Sequence, residues 1–290
     1  MSGWWQHLPE HIDPIILSVG FVSVHWYAVC FVLGMGVVWL WFAARQERQA
    51  WNVTRKQMED IFFYTLICAF LGARLGYVFW YAPAFFFEHP VQIFWPFSEG
   101  SGKYIGIAGL SFHGALLGVV GGILWWTHKH KHSFLIWMDR WATVLPLGII
   151  FGRLGNFLNG ELWGRPTEVA WGMFFPQAST MALRHPSQLY EMFGEGVLLF
   201  YFLFFVGRKK RRPGIMTACF LLGYGFIRFI VEYWREPDAQ IGLIGGIFSL
   251  GQIFSLSFLI FGGIWLWSMI HPQKQRKMCY NRTACKEKKS

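Results

Sequence analysis

Seven stretches of this chain are apolar for about the length of a membrane crossing, and short polar or basic segments separate them. They cover residues 19–44, 58–81, 105–127, 137–158, 187–206, 213–234 and 246–270. A helix needs about 20 mostly apolar residues to cross the hydrocarbon core. The pattern therefore predicts an all-α polytopic membrane protein with about seven transmembrane helices. The fourth stretch is the least clean, with Asp139 and Arg140 near its start and Pro146 inside it. Residues 1–270 read as a single membrane-embedded domain and 271–290 as a basic tail.

The polar segments set the expected orientation. The first connection carries Arg45, Arg48, Arg55 and Lys56, and the third carries Lys129 and Lys131. The fifth carries Arg208, Lys209, Lys210, Arg211 and Arg212, and the tail adds seven more basic residues from Lys274 to Lys289. The second holds only Lys103, the fourth Arg165 and Arg184, and the sixth Arg235. Basic-rich loops stay on the cytoplasmic side. This alternation predicts an outside (periplasmic) N-terminus and a cytoplasmic C-terminus, as an odd number of spans requires. The first 14 residues contain no Lys or Arg and so lack the basic start of a signal peptide, which predicts that the first stretch stays as a helix.

Composition agrees. The chain is 54% hydrophobic, 20% aromatic and only 14% charged, whereas a soluble domain has about 25% charged residues. Its net charge of +10 would suggest nucleic acid in a soluble protein. Here the charge sits in short clusters between apolar runs, and no zinc spacing or aromatic RNA motif accompanies it, so no nucleic-acid partner is expected. "RKKRR" reads as an anchor to anionic lipid, and "HKHKH" as a loop that binds no metal. Of the five cysteines, Cys30, Cys68 and Cys219 fall in apolar runs and Cys279 and Cys285 in the tail, without any C-x-x-C pair. No disulfide framework is expected.

A second set of polar residues lies inside the runs or at their expected outer ends. Ionisable groups there are costly, and they face a cavity or one another. In "GYGFIRFIVEYWREPDAQ", Tyr224, Arg228 and Glu232 follow at four-residue spacing with Arg235 three further on, so they share a helix face. Arg228 stands about 15 residues in from Pro213, ~22 Å along the axis at 1.5 Å per residue, toward the outer leaflet. In "GRLGNFLNGELWGR", Arg153 and Asn156 share a face and Glu161 follows. The two arginines reach similar depth. They repel unless Glu161, Glu191, Glu195 or Glu232, or a phosphate from outside, lies between them. His113 in "SFHGALLG" reads either as a hydrogen-bonded helix histidine or as a proton acceptor or phosphate contact. "RHPSQLYE" introduces the fifth run, and "HWY", His25 to Tyr27, opens the first. The asymmetry predicts a site open to the outer leaflet and suited to an anionic lipid head group.

These blocks, in this order from about His25 to Gln252, resemble the bacterial phosphatidylglycerol–prolipoprotein diacylglyceryl transferases. The resemblance implies a seven-helix inner-membrane enzyme with its active site facing the periplasm. Such enzymes move diacylglyceryl from phosphatidylglycerol to the thiol of a lipobox cysteine in a preprolipoprotein, releasing glycerol 1-phosphate. It further implies that Arg153 and Arg228 are the two key arginines and His113 the motif histidine. Tyr27, Asn156, Glu161, Tyr224 and Glu232 match further substrate-site positions. One departure stands out: the family's His-Gly-Gly-Leu reads His-Gly-Ala-Leu here, with Ala115 at the second glycine.

The implied reaction is displacement at an sp3 carbon. Sulfur attacks the glyceryl CH2 and the phosphate oxygen leaves, so negative charge grows on phosphate. Guanidinium groups that hold it gain more in the transition state than in the ground state, and arginine matches phosphate geometry better than lysine. The nucleophile belongs to the substrate. A thiol has a pKa of about 8.5 and reacts as thiolate; histidine, near 6.5, suits the base role. The reaction calls for no metal or cofactor. The alternative reading is an anion or anionic-lipid transporter with an outward-facing arginine site, although inverted repeats and paired broken helices are not evident.

Overall fold

A computed structural model describes residues 3–20, 22–49, 51–95, 97, 109–209, 211–237 and 242–271; of Val22, Gln49, Phe112, His113 and Leu243 it describes the backbone alone. The predicted tail from 272 onward, Lys103 and Lys210 lie outside the described residues. Helices dominate. They are α1 (Trp26–Gln49), α2 (Arg55–Trp80), α3 (Pro83–Glu88), α4 (Phe112–Lys129), α5 (Phe134–Leu158), α6 (Ser187–Glu191), α7 (Leu199–Val206), α8 (Ile215–Val231) and α9 (Leu250–Ile270). Between α6 and α7 the backbone widens into π-helical turns over Met192–Leu198, so 187–206 is one continuous helical rod.

Among the described residues five helical stretches are long and apolar enough to cross a membrane: Trp26–Arg48, Arg55–Trp80, Phe134–Leu158, Ser187–Val206 and Leu250–Ile270. Ile215–Val231 is a shorter apolar helix. Their surfaces are apolar as well. Val32, Leu40, Phe63, Ile67, Phe202, Phe205, Ile260 and Ile264 all stand exposed. In water such a surface would drive aggregation; against lipid it costs nothing. The chain is a multi-pass membrane protein.

The first apolar run begins later than its composition suggests. Residues 15–25 form two short strands, β1 (Ile15–Val19) and β2 (Val22–His25), and helix starts only at Trp26. Gly20 and Ser23 interrupt the run just after Ser18, Gly20 sits at φ +61°, and the β-branched Val22 and Val24 favour extended backbone. Pro146 does not break α5, which continues through it; membrane helices tolerate proline where neighbours satisfy the freed carbonyl.

The described residues form two compact units. The larger draws on residues up to 18, 23–38 and 139 onward, and the smaller on 19–22 and 39–138. In the smaller unit, α2 and α4 lie in close contact. A Cβ on Gly114 would collide with the Gly72 carbonyl, and one on Gly118 with that of Cys68. Ala115 is only partly buried, one step round the helix from Gly114. Arg74, buried in α2, donates to the carbonyls of Ile93 (2.5 Å), Gln92 (2.8 Å) and Gly109 (3.1 Å), fastening the segment after α3 to the helix.

In the larger unit, Ala142, Leu199, Leu203, Met216, Phe220 and Tyr224 form the core among α5, α7 and α8. Asp139 explains one of the untidy charges of the fourth run. Its Oδ2 accepts from the Gly214 N–H (2.7 Å), and its Oδ1 accepts from the N–H (2.8 Å) and hydroxyl (2.7 Å) of Thr217. It caps α8 from another helix, because Gly214 has no side chain to do so. Removing a cap costs about 1 kcal/mol, up to ~2. Asp139→Ala is expected to lower the thermal unfolding midpoint in detergent by a few degrees and to leave turnover at permissive temperature unchanged. A midpoint equal to that of the parent would refute the cap.

Candidate active site

The larger unit holds a buried cluster of ionisable side chains from three chain segments. Arg153 comes from the last turns of α5, Glu191 and Glu195 from the start of the 187–206 rod, and Arg228 from the end of α8, followed by Glu232 and Arg235. Glycines let these segments approach. A Cβ on Gly194 would lie 2.6 Å from the Ile227 side chain of α8, and one on Gly196 would overlap Ile150 of α5. The π-helical turns span this stretch, and such turns recur at functional sites.

Glu191, fully buried, is the hub. Arg153 Nε lies 2.9 Å from its Oε2, Arg228 Nη1 pairs closely with its Oε1, and Arg235 Nε stands 3.8 Å from the same oxygen. Glu195, also fully buried, lies 3.6 Å from Arg153 Nη2 and 3.4 Å from Arg228 Nη1. Glu232 takes Arg228 Nη2 at 2.8 Å and Arg235 Nη1 at 3.7 Å, and its Oε1 accepts from the Ser249 hydroxyl at 2.9 Å. Tyr224, one turn before Arg228, is buried against Phe220 and Phe258.

Among the described residues three arginines thus meet three glutamates, and these six side chains are formally neutral. The sequence suggested a cationic site held apart by Glu161, Glu191, Glu195, Glu232 or a phosphate. The structure places Glu191, Glu195 and Glu232 in that role. Glu161 is elsewhere: its Oε1 accepts from Asn156 Nδ2 (3.0 Å) and its N–H donates to the Asn156 carbonyl (3.0 Å). Single buried charges in hydrocarbon are prohibitive, and pairing is what makes these tolerable. Arg153 is the least enclosed of the three arginines, its side chain 19% exposed against 11% and 10% for Arg228 and Arg235. Among the described residues its Nη1 takes no part in these pairs.

Beyond Arg153 the chain leaves α5 through a tight turn. Gly160 and Leu162 both sit in left-handed backbone, at φ +65° and +61°. For leucine that conformation is strained, and the surroundings fix it. Ser187 Oγ donates to the Leu162 carbonyl (3.0 Å) and Gln188 Nε2 to that of Glu161 (2.7 Å). "GELW" and "PSQLY", separate in sequence, are therefore one structure. Tyr27 joins from α1, its N–H donating to Asn159 Oδ1 at 3.1 Å.

The segment 159–186 folds over this turn around Phe157, Met173 and Phe175, with Trp5, Leu8 and Ile12 of the N-terminal segment packed on it. Buried Arg184 ties it to the end of α8. Its Nη1 pairs with Glu236 Oε2 (2.5 Å), which also accepts from Trp163 Nε1 (2.8 Å). Arg165 Nε donates to the Arg235 carbonyl (3.0 Å). His185 Nδ1 meets the Tyr190 hydroxyl (3.1 Å), to which Trp171 Nε1 donates (2.7 Å), and burial pushes the His185 imidazole below its usual pKa.

Of the candidates, Arg153, Arg228, Tyr224 and Glu232 converge on the cluster, while Asn156, Glu161 and Tyr27 gather at the adjoining end of α5. His113 lies in the first turn of α4, within the smaller unit, and its side chain is outside the described atoms. The sequence marks Glu191 and Glu195 as counter-charges, and two carboxylates inside an apolar run of 20 are themselves a strong signal. It presents Arg184 and Gln188 only as loop positions of "RHPSQLYE" and gives no sign of Ser249 at the cluster. Among the described residues no group of three or more His, Cys, Asp or Glu is placed to hold a metal ion.

Comparison with known proteins points one way. Residues 14–268 match the family described as prolipoprotein diacylglyceryl transferase. The chain is 41% identical over 268 residues to the phosphatidylglycerol–prolipoprotein diacylglyceryl transferase of Chlorobaculum tepidum, covering 91% of this chain and 93% of that protein. The proteins of the same name from Vibrio vulnificus and Aliivibrio fischeri are similar: 43% identity over 273 residues (92% and 96% covered) and 40% over 292 residues (100% and 99%).

Proposed function

The chain belongs to the prolipoprotein diacylglyceryl transferase family, and from that premise we propose that its arginine–glutamate cluster is the phosphate clamp of the transfer reaction. The enzyme joins the diacylglyceryl group of phosphatidylglycerol to the cysteine thiol of a prolipoprotein. The observation that carries the clamp is the convergence of Arg153 and Arg228 on the shared carboxylates of Glu191 and Glu195, with one edge of Arg153 left outside the pairs.

In this reading the glutamates hold both guanidinium planes before substrate arrives, so little reorganisation remains at the moment of reaction. Arg153 Nη1 takes a phosphate oxygen and Arg228 approaches from the opposite helix. Sulfur attacks the glyceryl CH2, the thioether forms, and the C–O bond to phosphate breaks. The electron pair stays on glycerol 1-phosphate, whose growing charge the arginines meet. Tyr27, Asn156 and Glu161 line the head-group side, with Tyr224 and Glu232 backing Arg228. His113 takes the thiol proton.

The peptide substrate carries a lipobox cysteine. The protein sits in the bacterial inner membrane with seven spans, its N-terminus and site on the periplasmic side. The basic connections after α1, α4 and the 187–206 rod, against the poorly charged ones, support that orientation.

The test uses purified enzyme, phosphatidylglycerol labelled in its diacylglyceryl part and a lipobox peptide. Labelled thioether is expected with the Cys peptide and none with Ser in its place. Label that moves only between leaflets would favour the transport reading. For His113, the His113→Gln variant is expected to lose roughly 100-fold in rate together with the acidic limb of the pH–rate profile. An unchanged limb and rate would remove histidine from the base role.

A further inference from the structure

We propose that Ser249 and Gly251, at the start of α9, are positioning residues of the arginine clamp. They fix the Glu232 carboxylate and, through it, the guanidinium of Arg228. The inference rests on the reading of Arg228 as a phosphate ligand.

Ser249 is buried and its hydroxyl does two things. It accepts the Gln252 N–H at 3.2 Å, capping α9, and it donates its own hydrogen to Glu232 Oε1 at 2.9 Å. Gln252 closes the box by accepting the Ser249 N–H at 3.1 Å. Capping needs only an oxygen acceptor; the donated O–H is extra. It divides the work of the carboxylate. Oε1 goes to Ser249 and Arg235, and Oε2 to Arg228 Nη2 at 2.8 Å. A carboxylate free to rotate would leave Arg228 Nη2 without a fixed partner, and only Nη1 would stay held by Glu191 and Glu195.

Gly251 supplies an independent observation. A Cβ there would lie 2.6–2.7 Å from the carboxyl carbon and both oxygens of Glu232. Nothing but hydrogen fits between the α9 backbone and that carboxylate. Glu232 therefore rests against the first turn of a 21-residue helix, where the backbone N–H groups and the helix dipole favour negative charge. Upstream, the pairs Leu243↔Ser249 and Ile244↔Phe248 of a small hairpin hold Ser249 extended at the helix entry. The clamp is thus built on α9 as well as on α5, α8 and the 187–206 rod.

A simple helix cap is the competing account, and a substitution series separates the two. Aspartate caps as well as serine, and alanine does not cap. Ser249→Asp keeps the cap, loses the O–H donor and sets a second carboxylate against Glu232. If Ser249 positions Arg228, kcat falls about tenfold in Ser249→Ala, as for loss of a hydrogen bond to a charged group. It falls further in Ser249→Asp, where the second buried carboxylate repels Glu232 and lowers the unfolding midpoint as well. Ser249→Thr, with acceptor and O–H both present, regains most of what alanine loses. The loss falls on kcat, with KM for phosphatidylglycerol moving less than about threefold, because Arg228 acts in the transition state. Gly251→Ala is the second variant: cap and donor remain, and the added methyl displaces Glu232. Its kcat also drops.

A cap alone gives the reverse order, with Ser249→Asp close to the parent and Ser249→Ala worst in both rate and midpoint. That order, or unchanged kcat in Gly251→Ala, overturns the inference. Normal turnover in Arg228→Lys overturns the phosphate reading beneath it. Impaired Arg228→Lys with the cap-only order sinks the positioning role alone.

Discussion

The Arg153→Lys variant is expected to insert and fold, yet to lose diacylglyceryl transfer by on the order of 1,000-fold, the size of effect seen when a donor to developing charge is removed. Charge is conserved, so the expectation rests on geometry. Arg153 meets Glu191 through Nε at 2.9 Å and Glu195 through Nη2 at 3.6 Å while keeping Nη1 apart. One ammonium group cannot occupy those two positions and also meet phosphate in a third direction. Lysine retains the ion pair with Glu191 or serves the substrate, not both. Initial rates with a lipobox peptide, at matched levels of inserted protein, check this. Transfer within a few-fold of the parent would end the clamp role of Arg153.

The second large effect is expected at Glu191, and it falls on stability and activity together. Glu191→Ala removes a carboxylate that lies within 4 Å of all three arginines. Three cations then face two anions in the interior of the helix bundle. Taking one partner from a buried ion pair costs about 3–5 kcal/mol, a large share of the stability of an ordinary fold. The variant should unfold well below the parent in detergent, and no transfer should be measurable. Glu191→Gln keeps the volume and some hydrogen bonding, so it should fold better than alanine and still fail to hold the two guanidinium groups in plane. A Glu191→Ala protein as stable as the parent would show that the cluster does not carry its own charge balance.

The helices were legible because a membrane imposes a length and a composition. The runs at 58–81, 137–158, 187–206 and 246–270 lie within three to four residues of Arg55–Trp80, Phe134–Leu158, Ser187–Val206 and Leu250–Ile270. The first run misled because hydropathy alone does not separate a strand from a helix; Ser18, Gly20 and Ser23 carry that information and their apolar neighbours hide it. The arginines were legible as misfits in apolar surroundings. Their partners were legible only as a shortlist of Glu161, Glu191, Glu195 and Glu232; which of the four meet them depends on how each helix is rotated and how closely it approaches. Gly194 and Gly196 govern that approach, and a glycine in an apolar run looks the same whether it faces lipid or Ile227. Ser249 was least visible of all. A serine ahead of an apolar helix announces a cap, and its second bond depends on a residue 17 positions earlier.

If the cluster is the phosphate clamp proposed above, its neutrality bears on which anions it admits. A pocket with surplus positive charge would collect free inorganic phosphate and other small ions from its surroundings, and each would compete with the lipid. With three glutamates set against the three arginines, a soluble anion finds little net positive charge there and brings no acyl chains to hold it. Phosphatidylglycerol brings two. Discrimination between a lipid phosphate and a dissolved one is then set by the hydrocarbon attached to it, and glycerol 1-phosphate, once cut from its chains, loses the reason to stay.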